Sequence, residues 1–553
     1  MHKCGQFRLL VSVFYSRFLE NDTVSPGSGF QTNIYQITGF LIASGWFISY
    51  FLVPSFLKLS SAPPTEQADW TVHTLRMLFT AYSFGIVGFA TVFQWDMLFP
   101  DRRDFLVLGP LPVRLYELLA ARVAALALLL LLLVAAINVF PVLMMIALSI
   151  LVPALHGSGA RLVVAQLAAT GAASLFALIA VAAFQGLLVN VLTPRIFNRV
   201  SPWIQMFGMS GMVLCVLLYP IYSLLLKHAL DSGQSWPWLL PPVWFAGVYD
   251  LILPIQNARF VSLGSYGVTL LGSAAVVALV TWGVGYRRYH LRTLEAEESF
   301  ARSAAWTWPT WLTRLAEERA ITAFSTKTLS RSRKHRLFLA TYISVGLSFA
   351  SLFALAVRAG KLVVSEDGMR AFPFLVTFFV ISGFRAVCQF PAELSANWMF
   401  QLTEAEWAEA ARRAVRKHAV IGALIPTVAI VMPLEILMWG LPNALLHGAF
   451  QVMTGALLIE AVFWTFDKVP FTCSYFPANL NLSMLAGMYL YGFTSYSFHL
   501  AGLERVIERH GGYQIATFVT GGALLTLCWL RRRPATKVRF AAEEPLIQRL
   551  DLT

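Results

Sequence analysis

The sequence predicts an all-α fold, a polytopic transmembrane helical bundle of about 12 membrane-spanning helices in two pseudo-symmetric six-helix halves. The first observation is composition: the 553 residues are 57% hydrophobic and 13% charged, with a mean hydropathy of +0.65. Soluble domains carry about 25% charged residues. The second is the recurrence of apolar stretches of about 20 residues, the length that crosses a bilayer. The third is that basic residues cluster in alternate connections.

The apolar stretches divide evenly between the first and second parts of the chain. In order they cover residues 34–57, 71–95, 119–147, 161–193, 203–227, 264–285, 337–358, 371–389, 419–440, 446–466, 478–499 and 513–530. Most of the 42 Lys and Arg residues lie before the first stretch, in every second connection, or after the last. By the positive-inside rule, both termini and the middle linker are expected to be cytoplasmic, in a cell (inner or plasma) membrane. The net charge of +13 then reflects topology, and no nucleic-acid partner is expected.

This topology predicts four regions. Residues 1–285 form a first six-span half with an N-terminal interfacial helix. Residues 286–336 form a cytoplasmic linker with a second interfacial helix, 337–530 a second six-span half, and 531–553 a cytoplasmic tail. Within the aromatic- and proline-rich connection at 235–254, the apolar run VWFAGVYDLIL is too short to cross the bilayer and predicts a pair of re-entrant or interfacial helices.

Two polar, proline-containing segments lead into long apolar helices, and we call them the entrances. The first reads FPDRRDFLVLGPLPVRLYELLAARVAALALLL from Phe99, and the second reads FPAELSANWMFQLTEAEWAEAARRAVRKHAVIGAL from Phe390. Aligning their Phe-Pro pairs brings Leu111 opposite Leu402. This repetition indicates an internal repeat, which is common among transporters.

Each entrance predicts a short cytoplasmic helix that continues into a span. Pro112 suits a first helical turn, and the T-x-x-E pattern from Thr403 to Glu406 matches a capping box. Glu409 can pair with Arg413 at the i,i+4 spacing. Such helices could receive a push from a partner, although they could also be only well-capped loops. The candidate partner-docking residues are Leu111, Pro112, Val113 and Arg114 in the first entrance, and Leu402, Thr403, Glu404 and Glu406 in the second.

The segment DFLVLGPLPVRLYELLAARV resembles the LPV-containing segment of ABC-2 type permeases, the membrane subunits of one class of ABC transporter. In that family this segment forms a coupling helix against an ATPase, and the connection at 235–254 resembles the family's re-entrant hairpin. The resemblance implies the permease subunit of an ATP-driven exporter, with ATP held on a separate P-loop ATPase. Unlike many members, this chain carries both six-span units. Its second entrance has QLTE where the first has PLPV, so the two ATPase contacts would not be equivalent.

No Walker A motif, G-x-x-x-x-G-K-[ST], occurs in the chain, so any ATPase must be a separate subunit. No nucleophile–base pair, paired-carboxylate constellation or metal-ligand spacing indicates an enzyme. We therefore expect a transport subunit without a cofactor or metal of its own. The five cysteines are expected to be small buried hydrophobes.

Polar residues inside spans are candidates for function because burying them is costly. Glu460 and Asn190 are the candidate transport-pathway residues, with a purely structural pair as the alternative for Glu460. Arg76 lies near a span end and is expected to snorkel. Two other functions remain open: an ion-driven secondary transporter with Glu460 as its proton site, and a non-transporting membrane scaffold. The substrate is left open.

Overall fold

The structure is a computed structural model. The chain folds into two compact units. One comprises residues 1–300 with 355–363, and the other 301–354 with 364–553. Each unit has its own hydrophobic core. The described residues are 2–19, 30–60, 66–98, 114–151, 159–253, 257–295, 313, 315–358, 361–392, 404–464, 466, 469–472, 482–508 and 511–531.

Eleven helices in the described residues are long and apolar enough to cross a membrane, which confirms the predicted multi-pass helical protein. The predicted span at 478–499 coincides with helix Leu482–Glu508, which is not among the eleven. Its middle is rich in Tyr, Ser and Thr residues, which lower its hydropathy. The eleven segments are Ile34–Pro54, Trp70–Phe93, Tyr116–Ala147, Gly159–Val191, Arg199–Leu217, Ala258–Val284, Lys334–Ala354, Glu366–Cys388, Glu409–Trp439, Leu441–Val462 and Gly512–Leu530.

The first unit is built around helix α3, which is almost entirely buried between its neighbours. Its bundle surrounds a core rich in Phe, Leu and small alanine side chains. The helices of this unit are α1 His2–Leu19, α2 Phe30–Ser60, α3 Glu66–Phe93, α4 Trp95–Leu98, α5 Leu115–Leu151, α6 Gly159–Val191, α7 Pro194–Leu217, α8 Tyr219–Asp231, a 3₁₀ turn Trp236–Leu239, α9 Pro241–Ala246, α10 Val248–Ile252 and α11 Ala258–Glu295.

Helices α9 and α10 are the predicted pair of short helices in the connection before α11. They pack against α3, α6 and α11. The closest approach joins Gly247, between α9 and α10, to Gly264 in α11. A Cβ on Gly264 would lie 2.6 Å from the Gly247 carbonyl carbon, and a Cβ on Gly247 would lie 2.1 Å from the Phe260 carbonyl oxygen. Only glycines allow two backbones to approach this closely.

The second unit is built around helix α14, which is likewise almost entirely buried. Helices α13 and α14 pack closely because small residues lie at their crossing: a Cβ on Gly383 would meet the Tyr342 Cβ at 2.6 Å. Its helices are α12 Ala316–Arg331, α13 Arg333–Ala354, α14 Glu366–Cys388, α15 Glu404–His418, a π-helical turn Ala419–Leu424, α16 Ile425–Trp439, α17 Leu441–Val462, α18 Leu482–Glu508 and α19 Gly511–Leu530. Strands β1 Leu355–Arg358 and β2 Lys361–Val364 lie between α13 and α14 in the chain, and residues 355–363 belong to the first unit.

Two local features depart from a regular α-helical bundle. Strands β1 and β2 pair as a two-stranded sheet, so the span predicted to reach residue 358 ends as a helix at Ala354. The π-helical turn ends at Leu424, two residues before Pro426. A proline lacks the N–H that would bond to the residue four positions earlier, and its ring clashes with that carbonyl, so the helix widens at this point.

Candidate functional site

The two entrances lie only partly within the described residues. In the second entrance, α15 begins at Glu404 and continues through the π-helical turn into the span Glu409–Trp439, as the sequence predicted. The docking residues outside the described residues are Leu111, Pro112, Val113, Leu402 and Thr403, and the side chains of Glu404 and Glu406 are also outside them.

Arg114 is exposed and stands at the start of α5. The Glu117 side chain accepts a hydrogen bond from the Arg114 backbone N–H at 3.4 Å, while the Glu117 N–H donates to the Arg114 carbonyl at 2.9 Å. This reciprocal pair satisfies a free N–H of the first helical turn in the manner of a capping box. The Arg114 guanidinium donates to the neighbouring Tyr116 hydroxyl at 3.3 Å, and this exposed residue places a cationic group at the first entrance.

In the first unit, the N-terminal helix α1 packs along the start of α5. The Phe14 ring is buried there, and the Arg122 guanidinium carbon lies 5.0 Å from the ring centre, within the range of a cation–π interaction. The contact joins α1 to the helix that follows the first entrance.

In the second unit, α12 packs along α15 in the same order along the chain. Lys417 Nζ lies 2.5 Å from Glu318 Oε1, and the Glu318 side chain is almost fully buried. On the exposed face of α15, Arg413 and Glu409 form the predicted i,i+4 pair at 3.4 Å. In each unit, the helix predicted to be interfacial therefore contacts the helix that follows the entrance.

Glu460, one of the two candidate pathway residues, lies in α17 opposite the C-terminal turn of α15. Its Oε2 is 3.4 Å from Arg416 Nε, and both side chains are about nine-tenths buried. Arg416 also donates to the Phe463 carbonyl at 3.5 Å. This geometry favours the structural pair over the transport-pathway role, which stays a prediction.

We expect Glu460→Ala to lower the stability of the purified protein by about 3 kcal/mol, because it removes a buried partner of Arg416. The exchange Glu460→Arg with Arg416→Glu should recover most of the loss, since it restores opposite charges. Thermal unfolding in detergent measures both. Suppose that the exchange recovers stability but not the substrate transport that Glu460→Ala abolishes. Glu460 would then act in the transport pathway and not only as a structural partner of Arg416.

Asn190, the other candidate pathway residue, is half-buried near the end of α6. Its amide donates to the Gly186 carbonyl at 2.8 Å and to the Thr281 carbonyl of α11 at 3.0 Å. The bond to Thr281 joins α6 to α11, while the bond to Gly186 lies within α6. Asn190 and Glu460 therefore lie in different units. Asn190 contacts α11 in the first unit, and Glu460 contacts α15 in the second.

The buried polar centre of the first unit is Asp250 in α10. Its two oxygens lie 2.8 Å from His73 Nε2 and 3.1 Å from Arg76 of α3, and it accepts the Asn257 N–H at 3.2 Å. Asp250 is fully buried and Arg76 nearly so, so the expectation that Arg76 snorkels to the surface is wrong. The carboxylate attracts the guanidinium inward because a buried ion pair is less costly than either ion alone.

A chain of neutral polar groups extends from this centre into the bundle. The Tyr249 hydroxyl donates to Gln166 Oε1 at 2.5 Å, and Gln166 donates to Asn138 Oδ1 at 3.2 Å. Thr170 donates to the same oxygen at 3.0 Å. These bonds connect α5, α6 and α10, so they fix the short helices to the bundle and satisfy groups that would be costly unpaired.

A second buried polar centre lies in the second unit, where Glu435, His447 and Glu504 meet from three helices. Their exposed fractions are 1%, 2% and 3%. His447 Nδ1 lies 2.6 Å from Glu504 Oε1, and Nε2 lies 3.5 Å from Glu435 Oε1. Within the described residues, no group of three or more His, Cys, Asp or Glu residues is arranged to hold a metal ion.

Sequence reasoning missed Asp250, His447 and Glu504. Asp250 interrupts the apolar run VYDLI, and this isolated carboxylate was a signal that an opposite charge had to lie nearby. His447 and Glu504 lie in helices far apart in sequence, and nothing local indicates that they meet. Comparison of the chain with protein families, curated proteins and solved structures found no match in any of the three.

Proposed function

We propose that this protein is the permease subunit of an ATP-driven, ABC-2 type transporter, an exporter whose ATPase is a separate P-loop protein. It would lie in the cell (inner or plasma) membrane with both termini cytoplasmic, and each unit would be one half of a fused pair. Movement would enter through the two entrances, which follow the second and eighth predicted spans.

The observation that carries this proposal is that the helix predicted to be interfacial contacts the post-entrance helix in both units. In the first unit Phe14 of α1 lies against Arg122 of α5, and in the second Glu318 of α12 pairs with Lys417 of α15. A permease moved from outside the membrane needs such an arrangement, because force applied to a loop is lost unless the loop is joined to rigid helices. The different chemistry of the two contacts supports docking surfaces that are not equivalent.

The helix of the second entrance also supports transmission into the membrane. From Glu404 to Trp439 the chain remains helical, so an axial push at its start would be carried along the span. The π-helical turn at Ala419–Leu424 is the point of irregular hydrogen bonding in this run, and irregular turns of this kind are where helices bend. A push on the second entrance would therefore tilt α15, and the helix would bend at that turn.

The test is co-purification of a P-loop ATPase with the full-length chain from its own cells. Arg114→Glu, and separately Glu404→Lys with Glu406→Lys, should each reduce recovery of the ATPase about tenfold, since a reversed charge at an interface costs 1 kcal/mol or more. Quantitative mass spectrometry of the purified complexes measures the ratio.

Two exposed charges that lie far from the entrances in sequence serve as matched controls: Arg259→Glu and Glu366→Lys. Both should leave ATPase recovery unchanged. Wild-type recovery in both entrance variants, with the chain still folded and inserted, would contradict docking at the entrances.

The buried Glu435–His447–Glu504 cluster favours a second candidate, an ion-driven secondary transporter. Transport that persists without any ATPase and stops when the proton gradient is dissipated would select it. Transport that requires ATP hydrolysis and is indifferent to the gradient would select the permease.

A further inference from the structure

The cluster formed by Glu435, His447 and Glu504 has an unusual balance of charge. Glu435 is near the end of α16, His447 is in α17, and Glu504 is near the end of α18. Aromatic rings enclose the imidazole: the Phe374 ring centre lies 5.1 Å away and the Trp439 ring centre 5.3 Å away. Two carboxylates thus share one imidazole in apolar surroundings.

The hydrogen bonds in the cluster are incomplete. His447 Nδ1 bonds to Glu504 Oε1 at 2.6 Å. Neither oxygen of Glu435 has a hydrogen-bond partner among the described residues, although Nε2 of His447 is 3.5 Å away. An isolated carboxylate in such a place would cost many kcal/mol, and such groups take up a proton instead.

Charged groups on the neighbouring helices do not neutralise Glu435. Arg370 of α14 pairs with Glu508, and Arg505 of α18 pairs with Asp367. Both arginines therefore already have carboxylate partners. The titratable and charged groups of the packed helices at this end of the unit are Glu366, Asp367 and Arg370 on α14, His447 on α17, Tyr496, His499, Glu504, Arg505 and Glu508 on α18, and Tyr513 on α19.

We propose that the cluster is a proton-binding site, in which one exchangeable proton from water binds the Glu435 carboxylate, and the resulting carboxyl O–H donates a hydrogen bond to Nε2 of neutral His447. Nδ1–H of His447 then donates to Glu504 Oε1. A modest rotation of the Glu435 side chain closes the 3.5 Å gap to hydrogen-bond length. Uptake of the proton makes the charge of the cluster less negative by one, and nothing else is transferred.

The bound proton links α16, α17 and α18 through one continuous chain of hydrogen bonds. Its loss leaves two carboxylates on either side of a single imidazole, and like charges in a buried site repel. Release would therefore loosen the contact between α16 and α17. This site is independent of the proposed ATPase docking, so either idea can fail without the other.

Infrared difference spectroscopy of the purified full-length chain, without ATPase, tests the proposal. When the pH is lowered from about 8 to about 6, the wild type should gain a protonated-carboxyl band that shifts in heavy water. Ordinary glutamates remain ionised in this range, so they contribute no such band. Glu435→Gln should lose this band. The wild type should also melt at a higher temperature at the lower pH, because only the folded chain binds this proton, and Glu435→Gln should lose that difference.

Two variants make the assignment specific. Glu508→Gln removes a carboxylate from the same end of α18 and should keep the band, since Glu508 is paired with Arg370. Glu435→Asp keeps a carboxyl group and should shift the frequency of the band rather than abolish it. This variant tests the assignment if Glu435→Gln does not fold.

Absence of the band from the wild type, or its persistence unchanged in Glu435→Gln, would overturn the proposal. A divalent cation bound in place of the proton is the other outcome to exclude. Calcium or zinc that raises the melting temperature of the wild type at fixed pH, but not that of Glu435→Gln, would show a cation site and would also overturn it.

Discussion

Asp250→Ala is expected to destabilise the first unit by about 3–5 kcal/mol, because it leaves Arg76 buried without this carboxylate. Asp250 is completely buried and joins α10 to α3 through both His73 and Arg76. Asp250→Asn should cost less, since the amide oxygen can still accept one of the hydrogen bonds. Unfolding of the purified protein in detergent, followed by circular dichroism or thermal denaturation, measures the difference.

The same unit contains a matched control. Asp231 and Arg259 also form an aspartate–arginine pair, but both side chains are more than half exposed. Asp231→Ala should therefore cost about 0–1 kcal/mol. Equal losses in Asp231→Ala and Asp250→Ala would show that the buried pair does not fix the short helices, and the account of this connection would be wrong.

Gly264→Ala is expected to cost about 3 kcal/mol or more, at the upper end for overpacking, because the added methyl meets backbone rather than a movable side chain. Its Cβ would lie 2.6 Å from the Gly247 carbonyl carbon and oxygen. The variant must move α9 and α10 away from α11. We expect a lower melting temperature together with faster proteolysis of the connection at 235–254.

Gly272→Ala, in the same helix, is the control. Nothing lies within 4 Å of a Cβ at Gly272, so the change should be neutral or slightly stabilising, by about 0.5–1 kcal/mol from helix propensity. A stable Gly264→Ala protein with an unchanged cleavage pattern would mean that the glycine contact does not hold the short helices in place.

The helices of this protein follow from the sequence because each span is a local pattern. The length and composition of the apolar segments, the capping groups near residue 114 and the Glu409–Arg413 spacing all act within one helix. Two departures from the predicted helices also have local causes. Pro426 widens the helix before it into a π-helical turn, and the second-unit span predicted to end at residue 358 gives way to a two-stranded sheet after Ala354. The internal repeat and the role of the entrances stay predictions.

The sequence by itself determined the class of the protein: its apolar content, span lengths and basic connections predict a multi-pass helical bundle, because a helix satisfies its own backbone hydrogen bonds in lipid and crosses the bilayer in about 20 apolar residues. Only the tertiary structure decided which polar side chains meet. Asp250 pairs with Arg76, which is distant from it in sequence, and Glu460 pairs with Arg416. His447 lies between two carboxylates from other helices. Such pairings depend on helix rotation and packing, which arise from contacts between segments distant in the chain.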